Sequence, residues 1–283
     1  MDHVRHVVPA ALRPFVAAAH GYRTPANPVG LHRGLPSRHL SLVVELAAPL
    51  RVDLGGAVAA HAVVGGLHTR PALIDATRPQ DGLQYGLTPL AASALLGLPA
   101  AELGERVVDL TAVLGRAADR LVADLAAANG WPARFAQLDA ALLERLSGRP
   151  AGVPPEVREA WRLVLRSDGR RRTGELAEHV GWSRRHLSEQ FRLATGLTPK
   201  QAARVARFEA ARRLLQDLRR PPLADIAVRC GYADQPHLQR EWRSLAGCSV
   251  GTWLREEFPF LQDDAAGVPA SSGYDHLDRQ RSR

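Results

Sequence analysis

The rhythm of apolar and polar positions changes along the 283 residues. Up to about residue 90, apolar residues come in short runs bounded by Gly, Pro or Asp, the pattern of brief, partly buried strands. The runs at 39–47 (HLSLVVELA), 60–66 (AHAVVGG), 70–76 (RPALIDA) and 82–87 (GLQYGL) are predicted strands. Thr88-Pro89, a capping residue followed by a proline, then predicts a helix start leading into LAASALLG. Beyond it the apolar spacing lengthens to three and four. Over 112–128, Val113, Ala117, Leu121 and Leu125 share one helical face, and Phe135, Leu138, Leu142 and Leu146 repeat the spacing. This half reads as a small β-sandwich or barrel followed by a helical pair. The apolar stripe from Val113 to Leu125 has two uses open to it, packing on its own sheet or forming a dimer seam.

The Gly- and Pro-punctuated stretch SGRPAGVPP closes that half and predicts a linker at 148–155. Everything after it has helical spacing, with helices predicted at 155–166, 174–180, 184–195, 199–218, 224–229, 235–246 and 250–256. From 261 to the end the chain is polar, small and aperiodic, the composition of a disordered tail. The expected plan is therefore a domain at 1–147, a linker at 148–155, a second domain at 156–260 and a tail at 261–283.

Within the helical half a device occurs twice. GWSRRHLSEQFRLATG begins at Gly181 and GYADQPHLQREWRSLAG at Gly231. Aligned on those glycines, Leu176-Ala177 matches Ile226-Ala227, and Trp182 matches Tyr232. Leu187, Phe191 and Gly196 match Leu238, Trp242 and Gly247, with one extra residue in the second turn. Each copy is a short helix, a Gly turn and a longer helix, the helix-turn-helix arrangement. The small Ala lets the two helices approach, and the Leu/aromatic pair four residues apart buries one face of the second helix. Arg184, Arg185, Ser188 and Arg192 are left outside in the first copy, and Gln235, His237, Gln239, Arg240 and Arg243 in the second. Arg can donate two hydrogen bonds to guanine and Gln can pair with the adenine edge. Such helices enter the major groove by their N-terminal ends, and successive groove segments lie about 34 Å apart. A connecting helix of about 20 residues spans about 30 Å, so one chain can address two segments of double-stranded DNA.

These residues resemble the DNA-binding domain of the AraC/XylS transcriptional regulators. The likeness is carried by GELAEHVGWSRRHLSEQFRLATGLTPKQAARVARFEAARRLL (174–215) and ADIAVRCGYADQPHLQREWRSLAGCSVGTWLRE (224–256). It implies base-reading positions at Arg185, Ser188 and Glu189 on the first reading helix, and at Gln235, Gln239 and Arg240 on the second. Three departures stand out: Glu189 is acidic, Pro236 occupies the first turn of its helix, and Cys248-Ser249-Val250 replaces the usual Thr-Pro opening of the last helix. The stretch 68–110 (HTRPALIDATRPQDGLQYGLTPLAASALLGLPAAELGERVVDL) resembles the sensor domain of a branch of the family. That likeness implies a cupin-like β-barrel holding an effector, followed by helices that pair two subunits. The overall class is then α+β multidomain: an N-terminal cupin-like β-barrel with a helical pair, and a C-terminal all-α double helix-turn-helix.

Charge sharpens the picture only locally. Residues 1–150 hold 14 basic and 12 acidic residues, 151–260 hold 20 and 13, and 261–283 hold 3 and 4. The excess of positive charge sits in the helical half, as binding to a polyanion requires. Arginine supplies all but one of the basic residues, beside abundant Ala, Gly and Pro, a usage that genome composition also produces, so charge alone carries little weight. The run Arg170-Arg171-Arg172 has two uses open to it, contact with phosphate backbone or none beyond solvent. No apolar run is long enough for a membrane span, and no signal peptide is visible, which points to the cytoplasm. His32, His39, His61 and His68 scatter without a cupin-type carboxylate partner, so no metal, cofactor or catalytic residue is predicted. The expected protein is a sequence-specific regulator governed by a small-molecule effector, able to pair as a homodimer, and a partner of RNA polymerase if it is an activator. Two alternatives stay open: a metal-dependent cupin-type enzyme fused to a DNA-binding module, and an orphan regulator whose N-terminal half only dimerises.

Overall fold

The computed structural model describes residues 2–27, 29–89, 91–146, 153–217 and 220–256. The expected tail and most of the expected linker lie outside these residues.

Among the described residues ten strands form two antiparallel sheets. The larger sheet has the order β1 (Asp2–Arg5), β2 (Val16–Thr24), β9 (Gln80–Leu87), β4 (Leu40–Glu45), β7 (Ala62–Gly65), β10 (Val107–Asp109). The smaller one runs β3 (Leu31–Gly34), β8 (Ala72–Asp75), β5 (Leu50–Asp53), β6 (Ala57–Ala60). The predicted strand at 60–66 is divided by a corner: Ala60 pairs with Leu50 in the small sheet, and Ala62 with Val44 in the large one. The chain thus crosses between sheets at His61, as sandwich corners do. The two sheets are bonded separately rather than closed into one ring, a layered arrangement compatible with a cupin-like fold.

Alternation along the strands builds three layers. Leu40, Leu42 and Val44 of β4, with Ala62 and Val64 of β7, face one core, while Val43 and Val63 face the other. The first core is covered by α2 (Arg116–Ala127) and α3 (Gly130–Leu146), following the single-turn α1 (Thr111–Leu114). The second is small, formed by Leu50, Val52, Leu54, Ala60, Val63 and Ala72 between the sheets. Leu121 and Leu125 are buried in the first core, so the predicted apolar stripe is largely spent inside the chain. On α3 the buried Asp139 carboxylate accepts from Tyr85 (2.9 Å) and lies 2.6 Å from His6 Nε2, pinning the helix to the sheet. Gly21 on β2 is there for space: a Cβ would lie 2.4 Å from the Trp131 ring.

Thr88-Pro89 does not open an α-helix. The Thr88 hydroxyl donates to the Pro14 carbonyl instead (3.2 Å), and Ala92–Leu96 makes one wide π-type turn that ends on Gly97 at φ 74°. A 3-10 turn at Ala100–Leu103 follows.

The remaining helices are α4 (Pro155–Arg166), α5 (Thr173–His179), α6 (Arg184–Thr195), α7 (Pro199–Gln216), α8 (Leu223–Arg229), α9 (Gln235–Ala246) and α10 (Val250–Glu256). Each lies within two residues of its predicted place, since each is amphipathic and punctuated by caps. They share one core centred on Trp161, Phe191, Phe208, Trp242 and Trp253.

Candidate DNA interface

Each reading helix is built the same way. In the first device the left-handed Gly181 (φ 72°) turns the chain from α5 to α6, and the Trp182 amide donates to the Ala177 carbonyl (2.9 Å). In the second, Gly231 (φ 74°) turns it from α8 to α9, and the Tyr232 amide donates to Ala227 over the same 2.9 Å. Ser183 caps α6 by accepting from the His186 amide (3.2 Å), and Asp234 caps α9 by accepting from the His237 amide (2.6 Å). Gly196 (φ 86°) and Gly247 (φ 69°) close the two helices in the left-handed conformation that glycine adopts freely. Leu187, Phe191, Leu238 and Trp242 are fully buried, so helical geometry forces the polar residues between them outward.

Arg184, Arg185, Glu189 and Arg192 on α6, and Arg240 and Arg243 on α9, are exposed. Ser188, Gln235, His237 and Gln239 are half-buried. The side chains of Arg185, Arg192, Arg240 and Arg243 make no hydrogen bond or ion pair among the described residues. Glu189 likewise has no ion-pair partner there. Arg184 lies along α5, its guanidinium about where a Cβ on Gly174 would come (2.9 Å). The Ser188 hydroxyl donates to the Arg184 carbonyl (2.7 Å), and His237 Nδ1 accepts from the Ala233 amide (3.2 Å), so both are partly occupied by local structure. In the Arg170–Arg172 run all three arginines are exposed, and the stem of Arg170 lies against Gly231 of the other device.

What holds the two devices in relation was not visible in the helical spacing. Arg204 on α7 donates to Glu241 on α9 (2.7 Å). Arg213 bonds Asp168 (2.8 Å), and Arg207 donates to the Gly169 carbonyl (2.8 Å) while lying over the Tyr232 ring. These contacts join residues about 40 positions apart and carry no local signal. Cys230 ends α8 as a small buried residue, its thiol pushed up to about 11 by burial.

The four histidines considered for a metal stay apart. His32 lies on β3, His61 Nδ1 bonds the Glu45 carbonyl (2.7 Å), His68 Nδ1 bonds the Arg70 carbonyl (2.6 Å), and His39 faces Glu209 on α7. Among the described residues no three His, Cys, Asp or Glu side chains gather as a metal site. No described helix is long and apolar enough to cross a membrane.

Two helix-turn-helix units sharing a central helix, each with an arginine-bearing outer face, define a double DNA-binding module. Residues 176–256 match the family model described as a helix-turn-helix domain. They are a helix-turn-helix domain of the AraC/XylS type. The transcriptional regulator YbfI of Bacillus subtilis is 36% identical over 64 residues, 23% of this chain and 22% of its own. The activator RhaR of Klebsiella pneumoniae is 37% identical over 76 residues, 27% of each chain. The regulator Rv1931c of Mycobacterium tuberculosis is 34% identical over 84 residues, 30% of this chain and 32% of its own. The chain thus aligns with between a fifth and a third of the length of these curated relatives. Two crystal structures of ToxT from Vibrio cholerae share the fold, with TM-scores of 0.50 and 0.51 at 10% and 9% identity, covering 84% of this chain and 97% of ToxT. That likeness takes in the sheets as well as the helical module.

Proposed function

We propose that this chain is a sequence-specific, DNA-binding transcription regulator whose N-terminal half responds to a small-molecule effector. The observation that carries the DNA-binding part is the pair of matched devices with arginines on both outer faces, of which Arg185, Arg192, Arg240 and Arg243 have no partner among the described residues. Arg184, Arg185, Ser188, Glu189 and Arg192 present the first reading surface, and Gln235, His237, Gln239, Arg240 and Arg243 the second. Ser188 and His237 are tied to local backbone, which favours Arg185, Arg240 and Gln239 as the main base readers. Arg171 and Arg172, exposed beside the N-terminus of α5, are proposed as phosphate contacts. The division into domains at 1–147 and 156–260 belongs to the same reading, as do a homodimer and contact with RNA polymerase.

Effector control requires a ligand that prefers one arrangement of the protein over another. The cleft lined by Glu45, Leu50, Arg51, Asp75 and Arg78 encloses about 30 Å³, roughly the share of one water molecule. A metabolite bound in that cleft would have to widen it. The test is binding of the full chain to DNA selected from a random pool, followed across salt concentrations. A specific site with affinity falling steeply with salt supports the reading. Equal affinity for selected and unselected duplexes would refute it. Thermal-shift screening against metabolites tests the effector, since a ligand of the folded state raises apparent stability.

A further inference from the structure

The C-terminal ends of both reading helices rest on the N-terminal half. Gly196, which closes α6, lies against residues 100–104: a Cβ there would sit 3.0 Å from the Ala100 carbonyl oxygen and 3.3 Å from Gly104 Cα. Gly247, which closes α9, lies against Pro71, with 2.9 Å between such a Cβ and the ring. Equivalent points of the repeated device therefore meet two different loops of one region, while the exposed Arg184, Arg185 and Arg240 remain outside.

Those two loops are stitched into one body. Glu105 accepts from the Thr69 amide (3.1 Å) and the Thr69 hydroxyl (2.7 Å), and its own amide donates to the Leu67 carbonyl (3.0 Å). The Gly66 amide donates to the Arg106 carbonyl (3.0 Å), and Gly66 approaches Leu103 so closely that no side chain fits between them. Glu105 is held at φ 60°, a left-handed conformation uncommon without glycine, which persists only where surrounding contacts over-determine it. From the first of these loops Leu67, 1% exposed, joins the helical module's own core, the one that holds Trp161, Phe191 and Trp242. Alongside, Arg38 Nε donates to Glu209 on α7 (2.6 Å), both largely buried, and Arg33 pairs with Glu256 on α10 (2.7 Å).

We infer that the loops 66–71 and 100–106, stitched by Thr69 and Glu105, form a saddle that, together with the α7 contacts, fixes the separation and phase of the two reading helices. Thr69 and Glu105 are then positioning residues for DNA recognition, acting through the helix ends rather than touching bases. The inference rests on the DNA-binding reading above. It places the sensor-like segment in mechanical contact with both devices, so that a change between the sheets would alter which half-site spacing the protein accepts.

The test uses the full chain and a tandem site selected by the wild type, with Glu105→Gly and Thr69→Val as separate variants. Glu105→Gly relieves the backbone conformation while deleting the stitch, and Thr69→Val removes one hydroxyl at nearly constant shape. Dissociation constants are measured for the selected site, for the site with one base pair inserted between its halves, and for a site with one half scrambled. One added base pair rotates the halves by about 35°. The wild type should disfavour the insertion by about ten-fold, a difference of roughly 1.4 kcal/mol. The variants should disfavour it by less than about three-fold, with binding to the scrambled site unchanged. A variant that keeps the wild-type ratio, or loses affinity for all three duplexes by one common factor, overturns the inference. If the wild type shows no preference for its selected site, the DNA-binding reading fails first and this inference falls with it.

Discussion

The two devices show how one design is carried by different residues. After the first, Thr198 accepts from the Gln201 amide, Gln201 returns a bond to the Thr198 amide, and Pro199 starts α7. After the second, Cys248-Ser249-Val250 stands in place of Thr-Pro, yet Ser249 accepts from the Thr252 amide (3.0 Å) and opens α10 in the same manner. What the repeat keeps is a hydroxyl at the cap and a left-handed glycine before it; the proline is dispensable. The cores differ more. Phe191 meets Trp161 with ring centroids 5.8 Å apart, whereas Trp242 lies between Phe208 (4.7 Å) and Trp253 (5.2 Å). The aromatic anchor of the second device therefore reaches both the spacer helix and the last helix, whereas that of the first reaches α4.

The largest expected effect follows from that contrast. Phe191→Ala and Trp242→Ala should each cost about 3–5 kcal/mol. Trp242→Ala should cost the more of the two in urea unfolding of the full chain, and the reverse order would show that the double aromatic contact does not matter. Next come the reading surfaces. Arg185→Ala and Arg240→Ala should each lose about 1–3 kcal/mol of binding and relax base choice at one position, in opposite halves of the site. Arg171→Ala should weaken all duplexes alike and reduce the salt slope by about one. Competition binding against single-base site variants separates these behaviours. Caps come third: Thr198→Ala and Ser249→Ala should each cost about 1 kcal/mol of stability, and a cost confined to Thr198 would break the equivalence drawn here.

A separate effect, seen only as the pH is lowered, concerns the seam between the halves. Burial lowers the His39 pKa to about 4 against the raising field of Glu209, and its Nε2 has no partner among the described residues. The folded protein therefore resists protonation that the unfolded chain accepts. His39 contributes stability above its ordinary value near 6.5, and that contribution is lost as pH falls towards 4. Glu209 is also buried, which raises its pKa, but Arg38 and Arg212 outweigh this and hold it below the ordinary value, so its contribution too is lost on acidification. Melting temperatures between pH 7 and 4.5 should fall less steeply in His39→Leu than in the wild type. Parallel profiles would remove His39 from the seam.

How far these features were legible in the chain depends on how local their causes are. The helices α4 to α10 were readable because glycine turns, caps and a three-four apolar spacing all act within a few residues. β2 was not: VAAAHGYRT is poor in β-formers, and it is a strand because β1 and β9 flank it and Trp131 needs the open face of Gly21. β1, β3, β5 and β10 are too short to show a period. The corner at His61 has no local marker, and so one predicted strand became two. On the reading helices the outward positions followed from the buried Leu/aromatic pairs, but the tie of His237 to Ala233 depends on the extra residue in the second turn. The saddle was hidden for the same reason as the α7 ion pairs: Thr69 and Glu105, or Arg38 and Glu209, are joined only by the fold.

The central claim is that one chain presents two reading helices to neighbouring segments of one duplex. Footprinting of the full chain on its selected site, at a stoichiometry fixed by sedimentation, tests it most directly. The account predicts protection of two major-groove segments about 10 base pairs apart per chain, with Arg185→Ala and Arg240→Ala each erasing base preference in a different segment. Protection of a single groove per chain, or both substitutions acting on the same segment, would contradict it.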